Sequence, residues 1–360
     1  MAGPTITRRE FSAMLAAAGL MFGKNPAVAK PEPKRIKAAA IQMEAKLGDA
    51  STNLAQAERL VRQAMRQGAE WIILPEMFTS AAAFQNDMLK AIKPVDGAPF
   101  QMMKKLSREG NVVVGGSFLA KDKQDIYNAF FLMFPDGTVT RHNKDLPTYW
   151  ENCYYRGGHD TGVMATPVGP VGSVLCWEFI RSQTPKRLLK KVNLVVGGSC
   201  WWTLPDDADP ASPRWAGNLK MLQHAPPNMA RMLGVPVIHG SHAGSFEGFF
   251  SPDLPNTAYN SSYLGEAMIV DANGKVLASR SQQKGAGIVT ASVDIPGTPA
   301  PSMRIPESFW MPDEMPQDWK DAWKRWFYNG GEYYKTVTLP YIKTGKLNCY
   351  KTDVWCQASE

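Results

Sequence analysis

Long apolar runs and cysteine are both scarce in this 360-residue sequence. The apolar stretch at residues 11–22 is too short for a helix across a bilayer, which needs about 20 residues, and no later segment is apolar enough. Five cysteines are too few for a disulfide scaffold, and their odd number leaves at least one thiol unpaired. We therefore expect a mature protein that has no transmembrane helix and that folds around an apolar core.

Several signatures of other enzyme classes are also missing. The sequence has no G-x-S-x-G turn of a serine hydrolase, no G-x-x-x-x-G-K-[ST] loop for nucleotides and no C-x-x-C pair. His239 and His242 lie near the end of an apolar segment, but two histidines at this spacing make a poor metal site. We interpret them as buried or capping residues and expect neither a metal nor an organic cofactor.

Positive charge is in excess without being concentrated. Lysine and arginine number 40 against 33 acidic residues, and the densest basic segments, residues 34–37 and 186–191, are short and interrupted. No nucleic-acid-binding motif accompanies them, so we predict solvated surface charge and no nucleic-acid partner. With 44% hydrophobic and 20% charged residues, the composition is that of an ordinary globular protein.

The N-terminus has the three-part layout of a secretory signal peptide. Arg8 and Arg9 precede the apolar residues 11–22, and Ala-Val-Ala at residues 27–29 forms an A-x-A cleavage site. Residues 7–12, Thr-Arg-Arg-Glu-Phe-Ser, resemble the twin-arginine motif. We predict that residues 1–29 are a cleavable twin-arginine signal peptide. The mature protein is then periplasmic or otherwise exported, and it meets a membrane only during export.

Strand and helix patterns alternate after this segment. Residues 36–43 and 71–74 are apolar runs typical of buried strands, and residues 52–67 between them carry a helical apolar stripe. Two hairpins follow, at residues 129–142 and 267–279, the second around Asn-Gly. Further strands are predicted near residues 111–115, 168–179, 193–197 and 235–239, and further helices near residues 100–109, 184–191 and 215–233. This order predicts layered α/β packing.

The composition and the periodicity of the sequence change near residue 298. We assign one α/β domain to residues 35–297 and an irregular extension to residues 298–360, where Pro, Trp, Tyr and Met dominate with weak periodicity. Cys349 and Cys356 lie close together in this extension, and an oxidising compartment favours a disulfide between them. The pairing of Cys153 and Cys200 stays open.

Three chemically useful residues lie at the C-terminal ends of predicted strands or in the adjacent loops. Sheets of α/β proteins place their functional sites in these positions. Glu76 comes directly after the strand at residues 71–74, Lys144 follows the first hairpin, and Cys176 lies in the apolar segment at residues 168–179. A thiol nucleophile, a carboxylate base and an ammonium group are a set that attacks an amide, carbamoyl or nitrile carbon in two steps. Alone, each residue is more typical of surface charge or inert core, so the combination carries the hypothesis.

The segments around these residues resemble the sequence blocks of the nitrilase superfamily. Residues 74–78, Leu-Pro-Glu-Met-Phe, are similar to the block of the base, and residues 144–151, Lys-Asp-Leu-Pro-Thr-Tyr-Trp-Glu, to the lysine block with a second glutamate, Glu151. Residues 172–178, Gly-Ser-Val-Leu-Cys-Trp-Glu, are similar to the nucleophile block. The resemblance implies a four-layer α-β-β-α sandwich, and because that fold often pairs through a helical face, we expect a homo-oligomer.

The resemblance assigns Cys176 as nucleophile, Glu76 as base and Lys144 as electrostatic partner. A free thiol has a pKa of about 8.5, so Glu76 has to accept the thiol proton, and burial would raise the pKa of this carboxyl group toward neutrality. Lys144 supplies the charge that steadies the thiolate and the oxyanion, with the Trp177 backbone N–H as a second donor. Glu151 orients Lys144 or the substrate.

The substrate stays open among small amides, N-carbamoyl compounds and nitriles. The Cys-Trp-Glu triplet favours the true nitrilase branch, but Phe179 stands where that branch usually has Asn or His. We predict hydrolysis of a small amide or N-carbamoyl substrate, with nitrile hydrolysis as the alternative. An acyl transferase, or a non-catalytic binding protein on the same scaffold, also stays open. Candidates to line an apolar acyl pocket are Trp150, Trp177, Trp201 and Trp202.

Replacing Arg8 and Arg9 with lysine should trap the protein in the cytoplasm, because the twin-arginine pathway reads the arginine pair. Cell fractionation and N-terminal sequencing measure this, and the exported wild type should begin near Lys30. Lys24→Arg, outside the motif, is the control and should not change export. Equal export of the double variant, or an exported protein that still begins near Met1, would contradict the prediction.

Overall fold

The structure is a computed structural model that describes residues 33–167, 169–203, 209–348 and 350. The predicted signal peptide, residues 1–29, lies outside the described residues, as do Cys349 and Cys356 of the predicted disulfide. Cys153, Cys176 and Cys200 are buried free thiols. Among the described helices, none combines the length and the apolarity that crossing a membrane requires.

Strands and helices are numbered here in chain order over the described residues. The strands are β1 (Lys34–Met43), β2 (Trp71–Ile73), β3 (Lys93–Pro94), β4 (Val113–Asp122), β5 (Asp125–Met133), β6 (Val139–Asn143), β7 (Val163–Met164), β8 (Val171–Leu175), β9 (Leu194–Ser199), β10 (Val237–His242), β11 (Ser245–Ser251), β12 (Leu254–Ser262), β13 (Gly265–Val270), β14 (Val276–Ser281) and β15 (Gly287–Ile295). The α-helices are α1 (Ala50–Arg66), α2 (Asp87–Lys90), α3 (Ala98–Gly110), α4 (Gln183–Leu188), α5 (Pro213–Leu233), α6 (Gln317–Tyr333) and α7 (Leu339–Thr344). Short 3₁₀-helices span Tyr149–Cys153, Cys176–Ile180 and Gln282–Lys284, and a π-helix spans Tyr334–Thr338.

Within the described residues, 13 strands form one mixed sheet whose main path runs β6-β5-β4-β2-β1-β10-β9-β8-β7. The central strand β1 pairs in parallel with β2 and β10 and antiparallel with β15. The sheet bends until it is nearly closed into a barrel. The strands β2 and β8, which precede Glu76 and Cys176, therefore lie on opposite sides of β1 within one sheet.

The strand β1 shows how the layers form. Its side chains alternate between two cores, because successive residues of a strand point to opposite faces. Ala39 and Ile41 pack in a core that includes the apolar stripe of α1, whereas Ala38 and Ala40 enter a second core between the two halves of the sheet. One strand thereby contributes to two separate apolar layers.

The strand β10 repeats this alternation in the other half of the sheet. Ile238 enters the core between the halves, whereas Val237 packs in a third core with Met229 and Leu233 of α5. The order of layers is therefore helix, sheet, sheet, helix. The predicted α/β fold with a four-layer α-β-β-α sandwich is confirmed.

Most of the predicted elements occur close to their predicted positions, but the prediction of an irregular extension is wrong. The helices α6 and α7 and the π-helix occupy much of the described part of residues 298–360. In α6 the buried positions Trp319, Trp326, Gly330 and Tyr333 follow a helical spacing. Bulky aromatic residues on both faces and two adjacent glycines hide this spacing in the sequence. The helix forms because its aromatic face packs on the 3₁₀-helix Tyr149–Cys153.

The contact between α6 and that 3₁₀-helix predicts opposite effects for two adjacent glycines. A Cβ on Gly330 would overlap the side-chain oxygen of Asn152 and approach the Cys153 nitrogen to 3.1 Å, whereas a Cβ on Gly331 has open space around it. Gly330→Ala should lower the free energy of unfolding by about 1–3 kcal/mol through overpacking. Gly331→Ala should raise it by up to about 1 kcal/mol, because alanine is the better helix former. Denaturant unfolding measures both, and equal effects would show that α6 does not pack this closely.

Candidate active site

The position of Glu76 depends on two glycines in neighbouring strands. Glu76 is the third residue after β2. The backbone of Leu74 lies so close to β10 that a Cβ on Gly240 would stand 2.7 Å from the Leu74 carbonyl carbon. A Cβ on Gly198 of β9 would stand 2.6 Å from the Gly240 oxygen and 3.1 Å from the Glu76 nitrogen. Glycine at both positions therefore lets the base enter the interior between the strands.

The carboxylate of Glu76 is fully buried and held by three donors. Lys144 Nζ lies 2.9 Å from Oε1, and Asn128 Nδ2 donates to the same oxygen at 2.8 Å. The Cys200 backbone N–H donates to Oε2 at 2.9 Å. His242 Nε2 donates to the Glu76 backbone oxygen at 2.8 Å. Both ends of the residue are thereby fixed before a substrate arrives.

Lys144 lies between two carboxylates and has no contact with solvent. Its Nζ is 2.9 Å from Glu76, 2.7 Å from Glu151 and 3.1 Å from the Thr148 hydroxyl, so its three N–H donors have three acceptors. Tyr155 donates its hydroxyl to Glu151 as well. Burial lowers the pKa of Lys144, but the charges of Glu151 and Glu76 outweigh it and hold this pKa well above its usual value. Lys144 is therefore a permanent buried cation.

Cys176 occupies a strained turn at the end of β8. Its φ angle is 49°, in the left-handed region that non-glycine residues rarely adopt, and it begins the 3₁₀-helix Cys176–Ile180. Glu178 fixes the turn by accepting a hydrogen bond from the Leu175 backbone N–H at 2.8 Å. The Trp177 N–H lies in the first turn of this short helix, where N–H groups lack partners within the helix. The turn therefore places a backbone donor next to the residue that carries the buried thiol.

The thiol of Cys176 is neutral in this arrangement. Burial raises its pKa well above the usual value, and the nearby charge of Glu76 raises it further, against the opposing effect of Lys144. Burial also raises the pKa of Glu76, although the charge of Lys144 opposes this. The charge of Lys144 favours the thiolate, as expected, but it does not outweigh burial and the charge of Glu76.

A second buried ionic network supports the nucleophile turn. Glu178 lies 3.2 Å from His142 Nε2 and 2.8 Å from Arg187, and Asp160 bonds the other ring nitrogen of His142. Burial lowers the pKa of His142, but the charges of Glu178 and Asp160 outweigh it and raise this pKa to about 9. The imidazolium therefore neutralises Glu178 beneath the turn, without touching the thiol.

Aromatic side chains enclose a small cavity beside the thiol. Its volume is about 10 Å³, close to the minimum that holds one water molecule. The cavity is lined by Tyr149, Cys176, Trp177, Trp201, Trp202, Asn218 and Trp319. None of these lining side chains carries a charge, which suits a small neutral group.

The structure brings together Glu76, Lys144, Cys176, Glu151 and Trp177, which the sequence indicated. Trp177, Trp201 and Trp202 line the cavity as the aromatic-pocket hypothesis expected. Trp150 does not line it and stacks on Trp202 instead, with ring centroids 5.1 Å apart.

Sequence reasoning missed several residues of the site. Asn128 is a polar residue inside the apolar strand β5, which is a signal that could have marked it. Cys200 contributes only a backbone N–H, which no side-chain pattern reveals. Asn218 accepts from Trp201 Nε1 at 2.8 Å and comes from α5, while Trp319 comes from α6. Both are far from the motifs in sequence.

The two histidines singled out in the sequence are buried and neutral. Burial lowers the pKa of His239 and of His242 to about 4, although each has a hydrogen bond to a backbone carbonyl that opposes the shift. His239 is 2.8 Å from the Ser199 hydroxyl, and His242 bonds the Glu76 backbone. Within the residues that the structure describes, no cluster of histidine, cysteine and acidic side chains is arranged to hold a metal ion.

Comparison with known proteins agrees with this geometry. Residues 37–300 match the carbon–nitrogen hydrolase family. An N-carbamoylputrescine amidase of Arabidopsis thaliana is 37% identical over 141 residues, which cover 36% of this chain and 47% of that protein. An omega-amidase of Bos taurus is 31% identical over 140 residues, covering 36% of this chain and 50% of that protein. The chain thus spans about half the length of these curated relatives.

A solved structure extends the likeness to the whole fold. The carbon–nitrogen hydrolase of Helicobacter pylori G27 superposes with a TM-score of 0.59, covering 91% of this chain and 98% of that one. The two sequences are 17% identical, so this likeness concerns the fold alone.

The His142 network predicts a pH dependence of stability. The pKa of His142 is about 9 in the folded protein and about 6.5 in the unfolded chain. Protonated His142 therefore stabilises the fold fully below pH 6.5, and this stabilisation is lost as the pH rises through 9. The free energy of unfolding should fall by up to about 3 kcal/mol across this window in the wild type. Denaturant unfolding at several pH values should show a smaller fall in His142→Asn.

His159→Asn serves as the control, because His159 is exposed and close in sequence. It should retain the wild-type slope between pH 6.5 and 9. If His142→Asn also retains this slope, His142 is not charged in the folded protein.

Proposed function

The chain belongs to the carbon–nitrogen hydrolase family, and we propose that it hydrolyses a small amide or N-carbamoyl compound through a thioester on Cys176. The observation that carries this proposal is the buried cluster of Glu76, Lys144 and Glu151 beside a thiol in a strained turn. The names of the amidase relatives support the same class of substrate.

In the first half of the reaction, Cys176 Sγ attacks the carbonyl carbon while Glu76 takes the thiol proton. The carbonyl oxygen becomes an oxyanion, for which Lys144 Nζ and the Trp177 backbone N–H are the donors. Glu76 then returns the proton to the leaving nitrogen, the carbon–nitrogen bond breaks, and ammonia or an amine departs. The acyl group remains on sulfur as a thioester.

In the second half, Glu76 removes a proton from water, whose oxygen attacks the thioester carbon. The carbon–sulfur bond breaks, the proton on Glu76 returns to the sulfur, and the carboxylic acid leaves. Glu76 thus acts as base and acid in turn, which requires its pKa to lie nearer neutrality than that of an exposed glutamate. Burial shifts it in that direction.

Proton transfer to Glu76 also prepares Lys144 for the oxyanion. In the resting state all three N–H donors of Lys144 have acceptors, so none is available to a substrate. Once Glu76 is protonated it no longer attracts the ammonium as a carboxylate does, and one N–H can turn to the oxyanion. Glu151 keeps the ammonium in place during this exchange.

Two further properties belong to the proposal. We propose that the mature protein acts outside the cytoplasm, which the order of Arg8-Arg9, apolar run and A-x-A site supports. We also propose that it is a homo-oligomer, which the family's pairing through a helical face supports. Light scattering of the purified mature chain tests the second property, and a monomeric mass at micromolar concentration would contradict it.

Cys176→Ala should abolish turnover while leaving the fold intact, because the sulfur is the attacking atom and alanine fits the same buried position. Ammonia release from a panel of amides, N-carbamoyl compounds and nitriles measures it. Cys153→Ala removes another buried thiol and is the matched control, with activity near that of the wild type. Residual activity of Cys176→Ala above a few per cent would remove Cys176 as nucleophile. Release of ammonia from nitriles alone would favour the nitrilase alternative.

Glu76→Gln should lower kcat/KM by about 10²–10⁴, because the amide keeps the shape and cannot accept the thiol proton. Alkylation of Cys176 by iodoacetamide, followed by intact mass, should slow as well. Glu58→Gln, on the outer face of α1, is the control and should change neither rate. If turnover and alkylation are both unchanged in Glu76→Gln, another group accepts the proton.

A further inference from the structure

The helix α6 completes the wall of the cavity from outside the matched family region. That region ends at residue 300, whereas Trp319 of α6 lines the cavity together with Cys176. Nothing in the three sequence blocks or in the reaction steps above assigns a role to this helix. It nevertheless supplies one of the side chains that line the cavity together with Cys176.

Several contacts hold α6 in this place. Trp326 packs on Tyr149 with ring centroids 5.0 Å apart, and Trp323 Nε1 donates to the Pro147 carbonyl at 3.2 Å. These contacts reach the segment that runs from Lys144 to Glu151, so the helix is tied to the part of the site that holds the cation. Its position is therefore fixed relative to the thiol and the lysine.

The indole N–H of Trp319 has no hydrogen-bond partner among the described residues, although the side chain is 2% exposed. Trp201, in the same wall, donates its N–H to Asn218, and Trp323 on the same helix donates to a carbonyl. A buried donor that stays unpaired costs about 1–3 kcal/mol. Because Trp319 lines the cavity, an acceptor atom of a substrate placed there would remove that cost.

The rest of the wall restricts what such a substrate can be. The cavity beside Cys176 has a volume of about 10 Å³, and its walls are aromatic rings, a thiol and an amide. The Asn218 amide is already engaged, because its oxygen accepts from Trp201 and its nitrogen donates to the Trp202 carbonyl at 3.2 Å. A long or charged acyl group therefore finds neither space nor a partner.

We propose that Trp319 is a specificity-determining residue: its ring restricts the acyl group to a short chain, and its N–H binds an acceptor on that group. The preferred substrates are then short, uncharged amides that carry an oxygen next to the scissile carbonyl carbon, such as a 2-hydroxyamide. This inference rests on the proposed amide hydrolysis for its kinetic test.

The kinetic test compares glycolamide with propionamide, two amides whose acyl groups have the same size and differ by a hydroxyl in place of a methyl. The wild type should prefer glycolamide in kcat/KM, and Trp319→Phe, which keeps a ring and loses the N–H, should lower that preference roughly tenfold. Trp319→Ala should raise activity on butyramide and benzamide relative to propionamide. Tyr328→Phe, on the same helix with a side chain that is 79% exposed, should keep the wild-type order of substrates.

A second readout requires no turnover. Iodoacetamide and the bulkier iodoacetanilide alkylate Cys176 at rates that intact mass and peptide mapping measure, with Cys176→Ala as background for the other thiols. Cys176 of the wild type should react much faster with iodoacetamide than with iodoacetanilide. Trp319→Ala should reduce the ratio of these two rates at least fivefold. Tyr328→Phe should leave the ratio of the two rates as in the wild type.

The outcomes separate the two proposals. If the wild type releases ammonia from none of the amides, amide hydrolysis fails, and the alkylation ratio alone decides whether Trp319 limits the size of what reaches the thiol. The inference about Trp319 is overturned if Trp319→Phe keeps the preference for glycolamide. It is also overturned if Trp319→Ala keeps the wild-type preference for small molecules in both the amide and the alkylation assays, or if Tyr328→Phe changes these preferences equally.

Discussion

The site depends on keeping the ammonium of Lys144 in an interior that water does not reach. Removing a charge from water is costly unless opposite charges and hydrogen bonds replace the hydration. Glu76, Glu151 and the Thr148 hydroxyl do so here at 2.7–3.1 Å. The loop after β2, the segment after β6 and the 3₁₀-helix that carries Glu151 must therefore come together as one unit. Without Glu76 or Glu151, the buried ammonium of Lys144 would face one negative charge in place of two.

The same burial explains how the nucleophile is used. In a dry site beside Glu76 a free thiolate would be repelled, so Cys176 stays protonated until an electrophile is present. The strained φ of Cys176 and the Glu178 network beneath the turn hold the sulfur in position. A buried neutral thiol also resists oxidation.

The helix α6 connects the chain beyond the matched family region to this cluster. It packs on the 3₁₀-helix of Glu151 and places Trp319 in the wall of the cavity that Cys176 also lines, so the same helix supports the cavity and the segment that holds Lys144. The fold common to the family provides the reacting groups, and the extension closes the space in which they act. A cavity of about 10 Å³ is the result.

The sequence by itself determined the alternating strands and helices and indicated Glu76, Lys144 and Cys176, which lie together in the structure. Strand and helix periodicity is local, and the motif residues follow strands whose ends meet at one edge of a sheet. Tertiary structure alone decided the rest. The Cys200 N–H reaches Glu76 across 124 positions of sequence, and α6 is helical where its aromatic face finds a surface to cover. The protonation state of Cys176 likewise follows from desolvation and neighbouring charges, which exist only after those distant segments have packed together.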